Sequence, residues 1–199
     1  MKLVEASRTE VQAHLIIGNG QMDERIFGTI ASKFDHSMTI SNPLSAHETG
    51  LSAAFKAIAK LVERVKPLNY LIVIDKEHME KEGDPKKLLG EYGFELQGFT
   101  KINEFAYKIK AKRGDRVANI YIALNGFEKC IEESIVKLIE KLYGEKVEPS
   151  KEAIRRWLKV KNKRDIDLIE SSTKETLEEA FPGIVTVIKN LVKDICDNS

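Results

Sequence analysis

Cysteine is scarce in this chain, with only Cys130 and Cys196 among 199 residues. The two lie far apart, each inside a helix-like pattern, so neither a disulfide framework nor a cysteine-built zinc site is expected; they read as free thiols of a reducing compartment. The four histidines include no His-x-x-x-His pair, which discounts zinc further. No apolar run approaches 18 residues and no basic-then-apolar leader opens the chain. The expectation is therefore no membrane span, no secretion and a cytoplasmic setting. An excess of charge of one sign is also missing. Thirty-two Lys and Arg face 31 Asp and Glu, for a net charge of +1, so any attraction to nucleic acid must come from a local patch. Ser41, Ser45 and Ser52 match no nucleophile elbow, leaving a serine hydrolase without support. Internal repeats and low-complexity linkers are absent as well.

What is present is a globular composition, 42% hydrophobic and 32% charged, long enough for one well-filled core. A first strand is predicted over 11–17, ending in Gly18-Asn19-Gly20. Met22, Ile26, Phe27, Ile30 and Phe34 follow at the spacing of a helix over 22–34. A short strand over 36–41 leads through a loop to Thr49, a cap candidate for an amphipathic helix that Pro67 ends; Leu51, Phe55, Ile58, Val62 and Val65 lie on its apolar face. The third strand is 70–74. This β-α-β-α-β alternation predicts an α/β fold with a mostly parallel central sheet flanked by helices. Beyond it, Glu82-Gly83-Asp84-Pro85 opens a short helix, and strands over 94–99, 105–112 and 117–124 follow. The last two form an antiparallel hairpin across Gly114-Asp115. From about Lys129 the pattern is helical. Residues 1–145 read as the α/β domain and 146–199 as a helical C-terminal appendage packed on it.

The most informative stretch is Leu71-Ile72-Val73-Ile74-Asp75-Lys76-Glu77-His78. Four apolar residues in a row suit a strand covered on both faces. If the extended chain continues, Asp75 and Glu77 point the same way. At the carboxyl end of a parallel strand that direction is the ligand crevice of open α/β sheets, and paired carboxylates suit Mg²⁺. His78 is a further ligand candidate. The competing account is that these acids are solvated or cap the next helix. Gly18, Asn19 and Gly20 let a backbone approach phosphate before a helix N-terminus, but the dinucleotide fingerprint is absent and an ordinary turn explains them equally. Glu132 borders the apolar stripe of its helix and Glu133 points away from it. Acids in a first turn also suit the helix dipole without any chemistry.

The order of these pieces resembles a divergent Toprim domain, the metal-binding fold of topoisomerases, bacterial primases and overcoming-lysogenization-defect nucleases. In that family a strand ending Glu-Gly precedes a Thr-Asp-Glu-like helix start, a later strand ends Asp-x-Asp, and nuclease-type and archaeal members carry a further Glu-Asp helix start. Here Gly18-Asn19-Gly20-Gln21-Met22-Asp23-Glu24 stands for the first, Ile74-Asp75-Lys76-Glu77 for the second and Ile131-Glu132-Glu133 for the third. The resemblance implies Mg²⁺ held by Asp75, Glu77 and Glu132, which would serve as the catalytic set, with phosphate bound near Gly18, Asn19 and Gly20. It implies phosphodiester chemistry or binding on nucleic acid. Asn19 occupies the position of the family's catalytic Glu and cannot act as a general base. A non-catalytic binding or assembly protein that keeps the fold is therefore the alternative.

One local patch bears on partners. Arg155, Arg156 and Lys159, with Lys161, Lys163 and Arg164, crowd around Trp157 and form a candidate nucleic-acid surface. Against this, Trp157 shares a helix face with Ile154 and Leu158, which reads as core, and the acidic 170–179 region balances the charge. An open sheet edge at the hairpin also allows a homodimer.

Overall fold

In the computed structural model, which describes residues 1–5, 11–17, 21–43 and 50–197, seven strands form one mixed sheet. Its strands are β1 (Lys2–Glu5), β2 (Ala13–Ile17), β3 (Thr39–Asn42), β4 (Asn69–Asp75), β5 (Glu95–Asn103), β6 (Ala106–Arg113) and β7 (Arg116–Asn125). The spatial order is β1-β3-β2-β4-β7-β6-β5. Neighbours from β1 through β7 run parallel, while β7, β6 and β5 form an antiparallel meander. The expected α/β class with a mostly parallel centre and an antiparallel hairpin is what the chain adopts.

The helices in chain order are α1 (Gln21–Phe34), α2 (Leu51–Leu61), α3 (Lys76–Glu82), α4 (Pro85–Glu91), α5 (Ile131–Tyr143), α6 (Lys151–Val160), α7 (Asp165–Ser171), α8 (Lys174–Ala180) and α9 (Pro182–Asp197). They form two apolar layers, one on each face of the sheet. Strand β4 shows why its sequence is apolar throughout. Leu71 and Val73 enter the layer built with α1, α5 and α9, whereas Tyr70, Ile72 and Ile74 enter the layer built with α2 and α4. Helices α6 to α9 contribute Ile154, Trp157, Leu168, Leu177, Ile184 and Leu191 to the first layer. Packing of α9 against β6 and β7 depends on Gly183, where an added Cβ would collide with the Leu124 carbonyl oxygen and stand 2.7 Å from that of Phe105.

The path of the chain fixes where a ligand crevice opens. From β2 it passes through α1 to β3 on one side, then through α2 to β4 on the other side of β2. Connections of one hand that reverse direction must lie on opposite faces, and α1 and α2 do. The carboxyl ends of β2 and β4 therefore flank the switch point, the usual binding crevice of such sheets.

Several local features differ from the expectations of the sequence. β1 is an additional edge strand. β3 begins at Thr39 because Asp35 folds the preceding residues into a turn, accepting from the Ser37 and Met38 amides at 3.2 and 3.0 Å. Thr49 lies outside the described residues. The first amides of α2, at Leu51 and Ser52, donate instead to the Glu82 carboxylate at 3.0 and 2.6 Å. The hairpin is as expected, closing between Arg113 and Arg116 with Gly114 at φ +62°. Its outer edge, β5, carries irregular register at Leu96/Gly98 and Lys101/Asn103, a feature that discourages edge-to-edge pairing. No described helix is long and apolar enough to cross a membrane.

Candidate functional site

Asp75 is the last residue of β4 and lies level with Asn125, the last residue of β7. The chain does not stay extended beyond it. Residues 76–82 turn at once into α3, so Asp75 and Glu77 do not share a pleat as the alternation argument required. The turn of the helix brings the acids together instead. One donor atom each from Asp75, Glu77 and His78 lies within 4.8 Å of the others, and among the described residues these form the group of metal-ligating side chains that converges. Glu132 is not one of the three.

Each member has a neighbour that restrains it. Asp75 Oδ1 accepts the Ile131 amide at the start of α5, at 3.1 Å, which ties β4 to that helix. Glu77 Oε2 pairs with Lys81 at 2.7 Å, and His78 Nδ1 stands 3.7 Å from Glu82. Lys76 anchors the turn by donating to the Phe127 carbonyl at 2.7 Å and to Glu104 at 3.1 Å. Burial raises the Asp75 carboxyl to about 6, and the charges of Glu132 and Glu77 add to the effect against the Ile131 hydrogen bond and His78. A carboxylate held against its own ionisation in this way is a site where a cation gains.

Behind Asp75 the crevice is lined by polar groups that sequence reasoning did not single out. Asn125 is buried, its Nδ2 reaching Asp23 of α1 at 3.5 Å while its Oδ1 has no partner. The signal was present, since Asn125 ends the apolar run of β7 much as Asp75 ends that of β4. Glu132, in the first turn of α5, is 4% exposed, and its Oε1 lacks a hydrogen-bond donor, with Lys151 Nζ 3.8 Å away. The Cys130 thiol sits against the Glu132 carboxylate, and burial together with that charge pushes the thiol up to about 12. It is no nucleophile. Glu133 is structural, because its carboxylate gathers the amides of Phe127, Glu128 and Lys129 and fixes the loop between β7 and α5.

Glu132 also lines a cavity of about 390 Å³ between α1, α5, α6 and α7. Arg25, Lys151, Arg155 and Arg164 contribute its cations, Asp165 a second carboxylate, and Ile135, Ile154, Leu158 and Ile166 its apolar wall. Of the expected basic surface, Arg155 reaches this cavity, while Arg156 and Lys159 are exposed outside its lining. Trp157 is buried, and its indole donates to Glu145 Oε2 at 2.7 Å, so it belongs to the core rather than to a stacking platform. Gly18, Asn19 and Gly20, expected to hold phosphate, lie outside the described residues.

Comparison with protein-family models, curated proteins and solved structures found no match for this chain, so the likeness to Toprim domains rests on its motifs.

Proposed function

We propose that the protein is a Toprim-like, divalent-cation-dependent protein of phosphate-bearing nucleic acid, with its cation site at the carboxyl end of β4. The observation that carries this reading is the convergence of Asp75, Glu77 and His78 donors within 4.8 Å at the switch-point crevice. The donor set fits a divalent ion. Two carboxylates suit Mg²⁺ and Mn²⁺, and the imidazole shifts preference towards Mn²⁺. Such an ion would supply Lewis acidity towards a phosphate oxygen. The chain's own part is to hold Asp75 rigidly through the Ile131 amide and to keep it desolvated between β4 and α5. Glu132 would act through its negative charge behind Asp75, and the cations beside it, Lys151 and Arg155, would receive a phosphate.

A second reading keeps the binding and drops the turnover. Asn19 stands where the family's catalytic Glu belongs, and an amide accepts no proton near neutral pH. Calorimetric titration with Mn²⁺ and Mg²⁺ tests the cation site, with saturable heat expected from wild type, tighter for Mn²⁺, and lost in Asp75→Asn. Absence of heat from wild type, or the same heat from Asp75→Asn, removes the proposal. Metal-dependent nicking of plasmid DNA, abolished by Glu77→Ala, would select catalysis over binding alone.

A further inference from the structure

Three chemistries meet in the cavity beside α6, and they define a ligand. The first is a surplus of positive charge: four cations line it against two carboxylates. Arg25 is engaged by Asp165 at 3.3 Å and Arg164 by Asp167 at 2.7 Å, whereas Arg155 makes no ion pair among the described residues. An anion entering the cavity therefore meets one uncommitted guanidinium and the remaining donors of its neighbours. The second is an apolar wall of branched aliphatic side chains, Ile135, Ile154, Leu158 and Ile166, suited to a flat hydrophobic body. The third is the Glu132 Oε1 atom, buried and without a donor, on a side chain that lines the same space. A buried acceptor left unpaired is costly, and an N–H from a ligand would relieve it.

We infer that this cavity is a binding site for a nucleoside 5′-phosphate, with the phosphate on Arg155, the base against the aliphatic wall and a base N–H donated to Glu132. A fatty acid has no donor for Glu132, and a sugar phosphate has no apolar body. The volume of about 390 Å³ lies within the range of small-ligand sites, about 300–1,000 Å³. Bases with an exocyclic amino group suit a carboxylate. Uracil flanks its single ring N–H with two carbonyl oxygens, which a carboxylate repels. This inference deepens the phosphate-ligand reading above by naming the ligand, and it does not depend on the cation. The same nucleotide chemistry has two sources, a free mononucleotide or the 5′-phosphorylated end of a strand.

Calorimetric titration in EDTA tests it with GMP, AMP, CMP, UMP, inorganic phosphate and a short 5′-phosphorylated single strand as probes. Expected are saturable binding of the amino-bearing nucleotides, about tenfold weaker binding of UMP, and weaker binding still of phosphate alone. Arg155→Gln lowers affinity for every nucleotide about tenfold. Glu132→Gln leaves phosphate affinity in place but narrows the gap between GMP and UMP, because an amide can turn its N–H towards a uracil carbonyl. Asp75→Asn binds as wild type does, which keeps this result separate from the fate of the cation site. Binding of the strand more tightly than GMP assigns the site to nucleic-acid ends, and equal binding assigns it to free nucleotide. Lack of saturable binding of any nucleotide, phosphate binding as tight as GMP binding, or wild-type affinity in folded Arg155→Gln and Glu132→Gln variants overturns the inference.

Discussion

Replacing Asp75 by Asn isolates the electrostatic cost of the crevice from its geometry. The amide oxygen of Asn still accepts the Ile131 N–H, so the tie between β4 and α5 survives. Only the charge is lost. The folded carboxyl titrates near 6, against an ordinary value of 3.8. The native state thus keeps its proton to higher pH than the unfolded chain, and ionisation weighs against folding. That cost is absent below about pH 4, grows through the interval to about 6 and is complete above it. Two pK units correspond to about 3 kcal/mol, and solvent contact at the crevice mouth reduces this to about 2 kcal/mol. About a third is already present at pH 4.5, so the stability of Asp75→Asn relative to wild type should rise by about 1.5 kcal/mol from pH 4.5 to pH 8. For a chain of this size that is about 3–6 °C in Tm, measurable by circular dichroism in EDTA. Addition of Mn²⁺ at pH 8 should then raise the wild-type Tm and leave that of the variant unmoved. A Tm difference that does not change with pH, or an Asn variant less stable than wild type at pH 8, would refute the assignment of Asp75 as a strained carboxylate.

Two further outcomes follow from packing and loop geometry. Gly183→Ala should destabilise the protein by about 3 kcal/mol or more, because the added methyl meets the Leu124 and Phe105 carbonyls and α9 must lift from β7; urea denaturation measures it. Glu133→Ala strips the acceptor from the amides of Phe127, Glu128 and Lys129 and should cost about 1–3 kcal/mol, with faster amide exchange confined to 126–130.

The legible part of this fold was the part written in apolar periodicity. Strand β4 announces itself because it is covered on both faces, and α1 and α2 because one face of each is apolar. Helix α3 left no such trace. Lys76-Glu77-His78-Met79-Glu80-Lys81-Glu82 buries none of its residues, so hydrophobic spacing had nothing to report, and the segment read as a continuation of the strand. That omission altered the geometry of the site while preserving its location. Asp75 and Glu77 do meet, through a helical turn, and the same turn brings in His78. Glu132 was placed at the margin of an apolar stripe, which fits its burial, but its unsatisfied oxygen depends on what α6 and α7 leave open. Such information belongs to the assembly of elements distant in sequence. The polar contact between Asp23 and Asn125 is of the same kind, spanning 102 positions.

The want of buried residues in α3 has a consequence for how the molecule responds to its surroundings. This helix is moored by polar ties at both ends: Glu77 and His78 at one, and at the other Glu82, clasped to the opening amides of α2. Electrolyte weakens such moorings while leaving the greasy layers on either side of the sheet untouched. Ionic strength therefore acts on 76–82 as a selective solvent, loosening the hinge between β4 and α4 and, through Glu82, the first turn of α2, long before the body of the protein yields.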